Sequence, residues 1–224
     1  MRHFPLWILL VIALANRAAG QDEAVPDLPP VPTRENQVAL FNGRDFSGFA
    51  FCMLNDANPR QTWSVTNGVI HCTGNPLGYL RTTQSYSNYF LTVEWRFVKV
   101  APKADHTGIL VHLQLPDQIW PKCIKVQGKH DRVGDLFLLA GADSKEHKGM
   151  GEGNPVPFRE SRENPVGQWN TSETVCIHNT VVCFLNGYFV NETTETTLND
   201  GFIGIQCEGG EIEIRAIHFS PLKY

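Results

Sequence analysis

The chain has 224 residues, 42% of them hydrophobic and 19% charged, with a formal net charge of −4. That length suffices for one sizeable domain once a leader is removed. The charge is spread along the chain without a basic run, which argues against nucleic acid as a partner. No amphipathic helix stands out for membrane binding.

Residues 1–20 read as a secretory signal peptide. Arg2 and His3 form a weakly basic start, residues 4–14 an apolar core, and Ala18-Ala19-Gly20 a small-residue cleavage site. The apolar run is roughly half the ~20 residues that a spanning helix needs, so no membrane insertion is expected after cleavage. The mature protein is expected to be secreted or periplasmic. Residues 21–37, rich in Pro and acid, read as a linker, and a single domain is predicted over 38–224.

Strand patterns then follow one another. LFNGRDFSGF turns at Asn42-Gly43 and Gly48, and WSVTNGVIHC is a hairpin around Asn67-Gly68 that sets Val65 opposite Ile70 and Trp63 opposite Cys72. A long strand carries Leu91, Val93, Trp95 and Phe97 inward, with Thr92, Glu94 and Arg96 outward. In TGILVHLQ, alternation puts Ile109, Val111 and Leu113 on one face and Leu110, His112 and Gln114 on the other. KCIKVQG shows Ile124 and Val126 on the apolar face, leaving Lys125 and Gln127 opposite, and GDLFLLAG is a further strand.

Residues 142–166 break the pattern with a Gly-, Glu-, Asn- and Pro-rich run. Segments of that length in a compact domain are usually functional or disordered, so a lid over a sheet face competes with plain surface elaboration. The last third returns to alternation: GQWNTSETVC, a hairpin at Asn186-Gly187, then GFIGIQCEGGEIEIRAIHFSPL with Ile203, Ile205, Ile212 and Ile214 against Gln206, Glu208, Glu211, Glu213 and Arg215. Successive hairpins of this kind predict an all-β sandwich of antiparallel sheets.

Six cysteines in an exported chain suggest disulfides, although not a dense framework. A turn at Asn179-Thr180 puts Cys176 opposite Cys183 and predicts a disulfide there. A turn at His178-Asn179 instead sets Cys183 against Thr174 and leaves both thiols as small buried groups. Asn170 and Asn191 fit the N-glycosylation pattern, which is frequent by chance.

LFNGRDFSGF, the Trp63 hairpin, NYFLTVEWRF, GILVH, VQG, GDLFLL, GQWNTSETVC, FLNGYFV and GFIGIQCEGGEIEIR occur in the order found in the 3-keto-disaccharide hydrolase domain family, which this chain resembles over about residues 38–222. The resemblance implies the concanavalin A-like lectin/glucanase jelly-roll, and action on glycosides oxidised at C3 as a hydrolase or as a 1,2-lyase with hydratase activity. This chain carries Lys125 where family members commonly have Glu.

A C3 ketone acidifies the C2 hydrogen. The site therefore needs a base, a cation or strong donor at the enolate oxygen, and an acid for the leaving group. Polar residues opposite the apolar faces are the candidates. His112, Glu208 and Lys125 are expected to be catalytic: His112 for its near-neutral titration, Glu208 at a strand end before Gly209-Gly210, and Lys125 as enolate stabiliser or desolvated base. Gln127, Arg215, Glu173, Asp135 and Trp120 are candidates for binding substrate, Trp120 as an exposed stacking platform. His106 with Asp105 is a further pair for a cleft rim, and Trp169 reads as core. The sequence requires no cofactor and leaves room for a divalent cation. The expected partner is an oxidised di- or oligosaccharide, and a non-catalytic carbohydrate-binding module is the alternative.

Overall fold

The structure, a computed structural model, describes residues 33–34, 36–99, 106–151, 153–158, 160 and 162–223. The predicted signal peptide and all but the last residues of the predicted linker lie outside this set, as does Asp105. No helix of the described residues is long and apolar enough to cross a membrane.

The described residues form β1 (Thr33–Arg34), β2 (Val38–Ala39), β3 (Phe49–Met53), β4 (Trp63–Thr66), β5 (Val69–Cys72), β6 (Gly78–Tyr86), β7 (Tyr89–Lys99) and β8 (His106–Leu113). They continue as β9 (Cys123–Gln127), β10 (Leu136–Leu139), β11 (Asn170–Ile177), β12 (Thr180–Leu185), β13 (Tyr188–Thr193), β14 (Gly201–Glu208) and β15 (Glu211–Lys223). The only helical pieces among them are two single 3₁₀ turns, at Leu54–Asp56 and Pro59–Gln61.

A nine-stranded sheet runs β13-β12-β11-β7-β15-β5-β4, with β1 and β2 also joined to β15, and a six-stranded sheet runs β10-β9-β8-β14-β6-β3. All strand pairings are antiparallel. The protein is thus the all-β sandwich that alternation predicts. Thr33 and Arg34 pair with Lys223 and Leu222, so the end of the presumed linker is a wrapped arm.

The inner faces meet in one core. Leu91, Val93, Trp95, Phe97, Ile212 and Ile214 of the larger sheet face Leu80, Ile109, Val111, Ile124, Val126 and Ile205 of the smaller. The Asn67-Gly68 and Asn186-Gly187 turns have φ of 53° and 78°, and 52° and 80°, the left-handed values that tight two-residue hairpins require. The predicted register follows, with Trp63 opposite Cys72 and Val65 opposite Ile70.

The β11–β12 hairpin turns at His178-Asn179: Ile177 pairs with Thr180 and Cys183 with Thr174. This corrects the predicted disulfide. Cys176 and Cys183 are diagonal neighbours, roughly 7–8 Å apart in an antiparallel pair, which is outside disulfide reach. All six cysteines are free. Burial pushes the Cys176 thiol up to about 12. A small apolar cluster of Val175, Ile177 and Val182 occupies the outer face of this hairpin, covered by Phe90, Phe184, Phe189 and Leu222.

The long segment straps one edge of the sandwich. Leu136 and Val156 form an isolated bridge, and Asn191 Nδ2 donates to Val156 O and Gly134 O at 2.9 and 2.8 Å. Glu146 accepts from the Thr194 backbone N–H at 2.6 Å and from its hydroxyl at 2.8 Å. The strap therefore joins β13 of one sheet to β10 of the other. The N-glycosylation pattern has a structural cause: Asn170 and Asn191 are both buried, and Asn170 Oδ1 accepts from Asn164 N at 2.7 Å and Asn186 Nδ2 at 2.9 Å.

Candidate functional site

The outer face of the six-stranded sheet carries the polar residues that alternation sends away from the core. Along β14, Ile203, Ile205 and Cys207 point inward, so Gln206 and Glu208 point outward. Along β9, Ile124 and Val126 point inward, so Lys125 and Gln127 point outward. Gly108 of β8 stands between them, paired with Gln127 on one side and Gln206 on the other.

Gly108 lets the lysine cross. A Cβ there would come within 2.7 Å of Lys125 Cε and 3.0 Å of Val126 O. Over this gap Lys125 Nζ donates to Glu208 Oε2 at 3.1 Å, and His106 Nδ1 lies 3.6 Å from Glu208 Oε1. Lys125 is 4% exposed, and burial pulls its ammonium below the usual lysine range, against the opposing pull of Glu208. Glu208 and His106 are more open to solvent, with side chains 26% and 30% exposed. They form the mouth of the row.

The floor is short of hydrogen bonds. Gln206 is fully buried and neither amide atom has a partner among the described residues; the same holds for Gln127 Oε1. Buried polar groups are nearly always hydrogen-bonded, so these closed-off amide atoms set the Gln127–Gln206 row apart from the rest of the sheet. Farther along the face, Tyr79 Oη donates to Asp117 at 2.9 Å and Arg81 grips the same carboxylate through two bonds of 2.7 Å. The Arg81 guanidinium holds Asp117 below the usual carboxylate range, and burial pushes the Tyr79 phenol up. This clamp fixes the 114–122 segment against β6.

Of the predicted residues, the fold brings Lys125, Gln127 and Glu208 together. His112 is separated from them. β8 and β14 change register between Phe202 and Gly204, where Val111 and His112 together face Ile203. The bulge gives His112 a φ of 53° and turns its ring into the core, 6.0 Å from that of Tyr89, while Leu113 joins the outer cluster with Leu110. Burial draws its imidazole down to about 4, and neither ring nitrogen has a partner among the described residues. A strict two-residue period cannot foresee this.

Asp135 lies beside Gln127, but its carboxylate is committed: it accepts from Phe158 N at 2.9 Å and Arg132 Nε at 2.8 Å, tying down the strap. Glu173 and Arg215 belong to the nine-stranded sheet. Arg215 pairs with Glu94 at 2.5 Å and lies 4.6 Å from the Trp169 ring centre, with Arg96 4.5 Å from the same ring, so Trp169 is half-buried between cations instead of in the core. Trp120, 47% exposed, rides on the segment that Asp117 anchors. Gln206 and Tyr79 did not figure among the candidates. The alternation that marks Glu208 equally marks Gln206.

A family model described as the 3-keto-alpha-glucoside-1,2-lyase-like domain matches residues 36–220. No curated protein matches. Among solved structures, a protein from Parabacteroides distasonis, provisionally described as a glycosyl hydrolase, is 20% identical with a TM-score of 0.62, over 84% of this chain and 94% of that one. A carbohydrate-binding module from Bacillus subtilis is 12% identical (TM-score 0.54, 76% of this chain and 93% of that one). A β-glucanase from Bacillus licheniformis is 11% identical (TM-score 0.55, 86% and 98%). At these identities the likeness concerns the fold, the jelly-roll sandwich shared by glucanases and lectin-like modules. The family match spans most of the chain, and the protein belongs to the 3-keto-alpha-glucoside-1,2-lyase-like domain family of carbohydrate-active proteins.

Proposed function

We propose that the chain is an exported enzyme that cleaves glycosides already oxidised at C3, by removing the C2 proton and eliminating the C1 substituent. The observation that carries this reading is the buried Lys125 ammonium 3.1 Å from Glu208, beside the Gln206 amide and Gln127 Oε1, which lack partners among the described residues. Family membership supports the substrate class. The leader pattern of residues 1–20 supports export.

The roles follow from the chemistry. Glu208 takes the C2 proton, and the electron pair left on carbon delocalises onto the C3 carbonyl oxygen. Lys125 donates to that oxygen, where a poorly hydrated ammonium acts more strongly than it would in water. The enolate collapses, C1=C2 forms and the C1–O bond breaks. His106, at the mouth, protonates the departing alkoxide. Water then adds across the unsaturated keto sugar, and Gln127 and Gln206 hold ring hydroxyls throughout.

The ion pair also favours a second reading. A lysine that holds Glu208 in place also occupies it, and a non-catalytic glycan-binding module would have no need of a free base. Incubating the mature chain with 3-keto-glucosides and with unoxidised disaccharides separates the two. Release of aglycone from keto sugars alone supports the lyase, whereas retention of glycan without turnover supports the module and overturns the enzyme.

A further inference from the structure

Just beyond β9, His130 and Asp131 meet Glu163, which arrives from the strap. One ligand atom of each residue lies within 4.8 Å of the others. Glu163 contacts His130 Nδ1 and accepts the Asp131 backbone N–H at 3.0 Å, while His130 Nε2 is 3.9 Å from Asp131 Oδ1. The imidazole is held by Phe97, edge to face at 5.9 Å.

The charge at this corner is poorly balanced. The Glu163 side chain is 7% exposed, yet among the described residues no lysine or arginine pairs with it or with Asp131. A carboxylate so deeply buried ordinarily has a full cationic partner or a metal. Here two carboxylates share one imidazole.

We propose that His130, Asp131 and Glu163 hold a divalent metal ion, with Zn²⁺ the best match. One imidazole nitrogen with two carboxylate oxygens is a borderline donor set; it suits zinc better than calcium or magnesium, which take oxygen ligands. Three protein ligands leave a fourth tetrahedral position for water. With ligand bonds of about 2.0–2.2 Å, an ion would replace the direct His130–Glu163 contact, the two side chains moving apart to admit it. Its first effect is mechanical: it pins the strap to the β9–β10 turn, three residues past Gln127. The inference stands apart from the sugar chemistry, since it concerns residues that take no part in the proposed elimination.

The test uses untagged mature chain stripped with a chelator and titrated calorimetrically with ZnCl₂, MnCl₂ and CaCl₂. One Zn²⁺ per chain is expected, with a dissociation constant in the micromolar range or below. His130→Ala and Glu163→Gln are expected to weaken it at least tenfold. Asp131→Asn alters a side chain that is 83% exposed, so it tests the site even if the other variants fold poorly. Bound Zn²⁺ should also slow tryptic cleavage at Arg162-Glu163 in the wild type and not in the variants. Absence of Zn²⁺ uptake, or uptake and protection unchanged in all three variants, would overturn the site whatever the outcome with keto sugars.

Discussion

Lys125 shows how much one side chain can depend on the absence of another. Its stem crosses the bare backbone of Gly108 to reach Glu208, and burial weakens its hold on the proton. Glu208→Gln and Lys125→Ala are each expected to lower turnover of a 3-keto-glucoside by about 10²-fold or more, with melting temperature as the control for folding. Gly108→Ala should act on the same pair by crowding the lysine stem directly, lowering kcat by roughly tenfold as the lysine is displaced. His112 belongs to stability instead. Its imidazole titrates near 4 in the folded chain against 6.5 in the unfolded one, so the folded state refuses a proton that the unfolded state accepts. Stability is therefore full above pH 6.5 and falls as the pH drops toward 4, by on the order of 3 kcal/mol from this residue. Denaturant titrations at both pH values should show that loss in the wild type and a flatter profile in His112→Leu, whose turnover at neutral pH should stay near that of the wild type.

At the scale of elements, turns and bulges decide which face a residue reaches. The Asn-Gly hairpins were legible because both central residues need left-handed backbone and few residue pairs accept it. The β11–β12 turn lacks that signature, so its two possible registers stayed open until pairing chose His178-Asn179. The choice keeps Cys176 and Cys183 apart as thiols. Native protein treated with a thiol reagent should label at most Cys52, the one cysteine that is not fully buried, and unfolding should release all six. Rapid labelling of further thiols in the native state would contradict this packing. On β8 the residue types alternate cleanly, but one extra residue opposite Ile203 reverses the direction of His112.

Across the whole molecule, two sheets share one core and the segment from 142 to 166 closes the edge between β10 and β13. Asp135 anchors that closure by accepting Phe158 N. Asp135→Ala leaves the part-buried Phe158 N–H without its acceptor, at a cost of about 2 kcal/mol. For a domain of this size that lowers the melting temperature by roughly 4–8 °C, measurable by calorimetry, and exposes the strap to proteases. A melting temperature unchanged within error would mean that the strap is held elsewhere.

The sequence by itself determined the sandwich, the hairpins at Asn67-Gly68 and Asn186-Gly187, the family, and the outward direction of Lys125, Gln127 and Glu208. Each of these depends on local backbone preference or on a two-residue period, which neighbouring residues are enough to set. Only the tertiary structure decided that Lys125 reaches Glu208 across Gly108, that His112 turns inward, that Asp135 and Arg215 are spoken for, and that His130 meets Glu163. Those outcomes depend on strand order and bulges between segments far apart in the chain, and no local pattern encodes which strand lies beside which.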